Sequence, residues 1–276
     1  MENKKLEGEA MVEEQLPDIQ ALKDKRGVPL YRVGIEDVSF PILVAKKQKR
    51  QYQTTQAIVS MYGDLEKEIR GINMSRFSEV LMQYRYKTIN SRKLRVFLEE
   101  LKRKLKTKDA YAVFRFKYFI PKESPVKRVN GIQGYSCAFV GRLTSNKYDF
   151  YLEVSVPITT LCPCSKAISK YGAHNQRAIV TARLKFLGKP LWIEDVVSLI
   201  ESMGSCDIYP VLKRPDEKWV TEKAFKNPKF VEDVARDVAI ALNKISGIEG
   251  YSIKVMSYES IHEHNAVAYF KKNWDF

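Results

Sequence analysis

Apolar and polar positions alternate through PLYRVGIEDVSFPILVAKK and again through QYQTTQAIVSMYGDL. That period of two, with its β-branched content, predicts a pair of strands. The period then changes. In NMSRFSEVLMQYRYK, Met74, Phe77, Leu81 and Tyr84 recur at helical spacing, and Leu94, Leu98, Leu101 and Leu105 form a second helical stripe. Asn90 or Ser91 stands where that second helix needs a cap. Two further strands, AYAVFRFKYFI and GYSCAFVGRLT, are joined by a connection holding Pro121 and Pro125. The second half runs in the same order. KYDFYLEVSVPITTL and NQRAIVTARLKFL read as strands around CPCSKAISKYGAH, and a helix starts near Trp192. The stretch from Met203 to Lys226 reads as irregular. Asn227-Pro228 reads as an N-cap followed by proline at the first helical position, opening a helix with Val231, Val234, Val238, Ala241 and Ile245 on its apolar stripe. YSIKVMSYES and NAVAYFKK read as the last two strands.

The pattern is strand-strand-helix-helix-strand-strand, written twice, although the two halves share no visible sequence similarity. It predicts an α+β architecture of antiparallel hairpins backed by helices. We place a polar N-terminal segment at 1–28, a first module at 29–143 and a second at 144–276. Each half leaves an open sheet edge, which invites closure by another subunit into a barrel.

Composition narrows the partners. The chain has 276 residues and is 45% hydrophobic, enough for a sizeable core. A formal net charge of +14 favours a polyanion: nucleic acid, a membrane surface or a polyphosphate. The basic residues are dispersed, with modest clusters at Lys46–Arg50 and Lys102–Lys108. Without a concentrated stripe or recognition motif, a nucleic-acid-binding protein with a structural zinc site is disfavoured. The N-terminus has no apolar secretory core, and no apolar run approaches the roughly 20 residues that span a bilayer. A cytoplasmic location follows, where clustered cysteines point to metal binding or catalysis rather than disulfides.

The candidate chemistry lies in the second half. Cys162 and Cys164 flank one proline, His174 follows in the same segment, and His262 and His264 sit in ESIHEHN beside Glu259. Thiolate, imidazole and carboxylate are ligands for zinc and related divalent ions. His-x-His on a strand and free cysteines also occur as ordinary surface and core residues. Glu259 has the opposite strand parity to His262, so both face one site only if the strand bends or ends near Ser260. Cys137 reads as core, and Cys206 fits either role. Glu232 sits at a helix start, where it also complements the helix dipole. Glu217 reads as a loop carboxylate. No glycine-rich phosphate loop is present, so a triphosphate needs side chains such as Lys166, Arg177, Lys213 and Arg214.

These residues carry a resemblance. INMSRFSE, LCPCSKAISKYGAHNQR, LKRPDEKWVTEKAFKNPKFVEDVARD and SYESIHEHNA resemble, in order, the motifs of the prokaryotic GTP cyclohydrolase type IB family. The resemblance runs through nearly all of residues 30–270. It implies two tandem tunnelling-fold modules per chain, a homotetramer with active sites at subunit interfaces, and a divalent metal, zinc or manganese with iron possible. The implied reaction hydrolyses GTP at C8, releases formate and yields 7,8-dihydroneopterin triphosphate at the head of folate synthesis. Position by position, the implied metal set is Cys162, His174, Glu217 and His262. The implied catalytic set is Cys162, His174, Glu259 and His262. Glu232 matches the purine-anchoring glutamate, with Lys166, Arg177 and Arg214 as further substrate contacts. The chain departs from the pattern at Ile72-Asn73, where Thr-His is common, and at Ala167, where glutamate is common. Two neighbouring activities share the features: an archaeal-type cyclohydrolase giving a cyclic phosphate, and a tunnelling-fold NADPH-dependent nitrile reductase whose cysteine works without a metal.

Overall fold

The computed structural model describes residues 19–48, 50–145 and 147–274, so residues 1–18 of the polar N-terminal segment lie outside it. The first four strands and two helices are β1 (Leu30–Ala45), β2 (Tyr52–Leu65), α1 (Ser75–Met82), α2 (Ser91–Leu105), β3 (Ala110–Glu123) and β4 (Asn130–Leu143). They are followed by β5 (Tyr148–Leu161), α3 (Pro163–Ile168), β6 (Asn175–Phe186), α4 (Ile193–Glu201), β7 (Cys206–Asp207), α5 (Arg214–Lys226), α6 (Val231–Asn243), β8 (Ile248–Ser257) and β9 (Ala266–Lys272). The strands form one antiparallel sheet in the order β1-β2-β3-β4-β5-β6-β8-β9, with the short β7 on β5. The β4–β5 ladder, from Leu143↔Tyr148 to Ser136↔Ser155, makes the two halves one continuous surface. Helices back the sheet, as the expected α+β architecture requires, and the arrangement is a tunnelling fold.

The predicted helical stripes meet the sheet. Phe77 and Leu81 of α1 and Leu94, Leu98, Leu101 and Leu105 of α2 are all buried. Asn90 caps α2, its side chain accepting from the Lys93 N–H at 3.0 Å. Close approach of α2 depends on Gly141 of β4: a Cβ there would stand 2.8 Å from both Leu94 Cγ and Leu98 Cδ1. On the other half, Val231, Val234, Ala235, Val238, Ala239 and Leu242 of α6 are buried. Three expectations change. Pro121 lies inside β3, paired with Ile132, rather than in the connection. Residues 214–226 form helix α5 rather than irregular chain, because buried Asp216 satisfies backbone donors at its start. Asn227 therefore ends α5 instead of capping the next helix; Phe230 precedes α6, and Asp233 accepts from its N–H at 3.0 Å.

β1 and β9 are the two ends of the strand order. Both carry exposed apolar side chains: Tyr31 is 84% exposed on β1, and Tyr269 is 68% exposed on β9. Unpaired edges of this kind accept a further strand. Among the described residues, no helix is long and apolar enough to cross a membrane.

Candidate active site

The register of four strand ends determines what meets at one end of the second half. Leu161, the last residue of β5, pairs with Asn175, the first of β6. Ala178 of β6 pairs with Ser257, the last of β8, and Ser257 pairs with Ala266, the first of β9. Cys162, His174 and the β8–β9 connection therefore all emerge at that end.

Cys162 and His174 are held to each other through backbone and side chain. The Cys162 N–H donates to the His174 carbonyl at 3.1 Å. Cys162 is the N-cap of α3, with Pro163 at the first helical position, and its Sγ accepts from the Ser165 N–H at 3.3 Å. The Ser165 hydroxyl oxygen in turn accepts from the His174 N–H at 3.1 Å. His174 Nδ1 lies 3.0 Å from Gln176 Oε1. With that oxygen as acceptor, the hydrogen-bond network assigns the proton to Nδ1 and leaves the lone pair on Nε2. A half-buried cysteine and a histidine with an oriented ring thus occupy hydrogen-bonded backbone positions at this end.

The next layer comes from farther along the chain. The Lys229 N–H donates to the Leu161 carbonyl at 3.0 Å, bringing the start of α6 against the residue before Cys162. Glu232, exposed in the first turn of α6, is set there by that bond. Asn227 supports the same turn through the Gly204 carbonyl at 2.9 Å, while Ser205 accepts from the Leu161 N–H at 3.2 Å. The Tyr258 N–H donates to the Arg177 carbonyl at 2.9 Å and starts the β8–β9 connection. β8 ends at Ser257, so the segment from Glu259 to His264 is bent rather than extended, which removes the parity obstacle between Glu259 and His262. Glu259 is half-buried, and the exposed rings of His262 and His264 stack at 5.0 Å.

The remaining candidates separate. Lys166 is turned into the chain, its Nζ donating to the Phe225 carbonyl at 2.6 Å and lying 4.5 Å from the Phe225 ring centre. Arg177 is exposed beside the Tyr258 contact. Arg214 and Glu217 are exposed in the first turn of α5. Ala224, near the other end of α5, is what packs on Leu161 and Cys206. Glu217 precedes Ala224 by about 10 Å of helix rise. The α5 start is tied instead to the β3–β4 hairpin: Asp216 accepts from the Val126, Lys127 and Lys213 N–H groups at 2.8, 2.9 and 2.9 Å. Burial alone raises a carboxyl pKa, but these donors outweigh it and hold Asp216 at about 2. Cys137 and Cys206 are core residues, and burial pushes both thiols up. Among the described residues, no three His, Cys, Asp or Glu side chains converge closely enough to hold a metal ion.

Ser165, Gln176 and Lys229 were not singled out from the sequence. Ser165 had a readable signal, because Cys162-Pro163 is a cap followed by proline at a helix start. Lys229 had none, since its part rests on a backbone bond to a strand end far away in sequence.

One antiparallel sheet backed by helices, with Cys162, His174 and the Glu232 turn brought to one end of it, is a tunnelling fold. A hyper-thermostable AgUricase mutant shares the fold at 7% identity with a TM-score of 0.51, over 87% of this chain and 91% of its own. The family model described as Type I GTP cyclohydrolase folE2 matches residues 16–268. GTP cyclohydrolase FolE2 of Thermosipho africanus is 46% identical over 91% of this chain and 96% of its own length. The protein of the same name from Geobacter sulfurreducens is 45% identical over 92% and 96%. The chain belongs to the type I GTP cyclohydrolase FolE2 family.

Proposed function

We propose that this protein is the type IB GTP cyclohydrolase of its cell: it hydrolyses GTP at C8, releases formate and forms 7,8-dihydroneopterin triphosphate for folate synthesis, in the cytoplasm. The observation that carries the reading is the Cys162–His174 pair beside the Glu232 turn, in a chain that matches the family over nearly its whole length.

Each residue has a role suited to its chemistry. The Glu232 carboxylate accepts the N1–H and exocyclic N–H of guanine and so fixes the base against the thiol–imidazole pair. Glu259 holds and moves protons, at N7 as the ring opens and at the formyl group as it departs, while His174, with Nε2 as its free lone pair, and His262 serve as donors to a divalent ion. Arg177 and Arg214 serve the triphosphate, with Lys166 released from the Phe225 carbonyl to join them. The net charge of +14 speeds encounter with the polyphosphate.

The donor set fits a divalent ion in kind: a thiol that accepts one weak hydrogen bond stands beside an imidazole whose Nε2 is unused. Cys162 and His174 would hold it with His262 and Glu217, and zinc, manganese and iron all suit these ligands. When bound, such an ion lowers the pKa of its water to about 7. Since the four donors do not converge within one chain, assembly as a homotetramer is part of the proposal, with the edges of β1 and β9 closing the barrel. The two modules, 29–143 and 144–276, then act as one half-barrel wall each.

The test is incubation with GTP and Mn²⁺ or Zn²⁺, with and without a chelator, following formate and pterin fluorescence after oxidation. Metal-dependent release of both is expected, with the pterin carrying a linear triphosphate. A cyclic phosphate assigns the archaeal-type product, and absence of both products with every metal overturns the reading.

A further inference from the structure

On the helix side of the sheet, away from the Cys162 end, a cavity of about 560 Å³ opens over the β4–β5 seam. Its floor is Phe139, Phe150 and Leu152, and Val44 and Ile89 close one wall. Tyr148 and Trp192 add two more aromatic rings, so most of the lining is flat and apolar. Tyr148 is fixed, its hydroxyl donating to the Ser91 carbonyl at 2.7 Å.

The rim is of one sign. Arg92, Arg95 and Lys189 line the cavity, and none of the described lining residues is a carboxylate. Arg95 is paired on its outer side with Glu99 at 3.0 Å; Arg92 and Lys189 are exposed. A pocket of this size, apolar inside with a few convergent polar groups, has the dimensions of a small-molecule site. An aromatic body gains by leaving water against Phe139, Phe150 and Trp192. A single negative charge at the mouth meets two or three exposed cations of the rim.

We propose that this cavity is a second binding site, separate from the GTP site, for a small aromatic anion: a ring system of two or three rings bearing one carboxylate or sulfonate. Because its walls come from both halves of the chain, the bound molecule braces α2 against the segment leading into α4.

The probe is anilinonaphthalene sulfonate, titrated into the native full-length protein while tryptophan is excited. One saturable site per chain is expected, with energy transfer from Trp192 and an unchanged affinity when GTP is present with a chelator. The Arg92→Glu/Lys189→Glu variant, altered only at exposed positions, is expected to bind the probe about tenfold more weakly or worse. Trp192→Phe is expected to keep the binding and lose most of the transfer. The neutral N-phenylnaphthylamine is expected to bind the native protein and the charge-reversed variant alike. Absence of a saturable site, displacement by GTP, or equal sulfonate affinity in the charge-reversed variant overturns the proposal.

Discussion

At the scale of single residues, Cys162 and Asp216 show opposite uses of a helix start. Cys162 caps a helix of six residues with a thiol that accepts one long bond, which leaves the sulfur available. Its replacement tests the site without dismantling the fold. Cys162→Ala is expected to lower turnover by about 10²-fold or more while the thermal midpoint stays near that of the parent; near-normal formate release rejects the assignment. Glu232→Ala should leave the fold intact, since the side chain is exposed, and weaken GTP binding by about 10²- to 10⁴-fold, the scale of two charge-assisted hydrogen bonds. Unchanged affinity by calorimetry removes its anchoring role. Asp216 is fully engaged and inaccessible. Its folded pKa of about 2 lies below the 3.8 of an ordinary aspartate, so its contribution is complete above about pH 4 and fades as pH falls towards 2. Asp216→Asn is therefore expected to lower the urea midpoint at neutral pH, and the gap from the parent should narrow in acid. A gap independent of pH would show that the charge is not what docks α5.

At the scale of elements, α2 is the clearest case of local and tertiary signals agreeing. Its cap, its apolar stripe and the glycine beneath it all point to one placement. Asn90→Ala is expected to cost about 1 kcal/mol in denaturant unfolding, and Leu98→Ala about 2–5 kcal/mol through the cavity it leaves. The element that misled is α5. Its apolar residues do not recur in a clean stripe, because only Asp216 and Ala224 are fully buried along it. A helix docked through a buried carboxylate at one end and an alanine at the other gives little periodic signal.

At the scale of the whole molecule, a mostly buried polar cluster ties the ends of β3 and β4 to α4. Lys122 donates to Glu201 at 2.7 Å, Tyr135 donates to the same oxygen at 2.7 Å, and Asp207 stands 3.5 Å from Lys122. The Lys122 and Glu201 side chains are only 11% and 12% exposed. Removing one partner is expected to cost more than removing both, since it strands a desolvated charge. Glu201→Leu should destabilise by about 3 kcal/mol, the low end of the range because Asp207 remains, and Lys122→Met/Glu201→Leu should recover most of that loss. Additive losses in the double variant would show that Lys122 and Glu201 are not coupled across the two halves.

Sequence by itself determined the element types over most of the chain, the α+β class and the family, because strand alternation, helical stripes and ordered motifs are local patterns. It also singled out Cys162, His174 and Glu232 as residue types fit for the chemistry. Only the tertiary structure decided that Cys162 and His174 are neighbours, that the Glu232 turn is bonded to the end of β5, and that Glu217 sits on a helix one end of which is bound to the β3–β4 hairpin. The reason is physical: these placements rest on backbone hydrogen bonds and strand register between segments distant in sequence, and a residue's own identity carries no record of which carbonyl its N–H will meet.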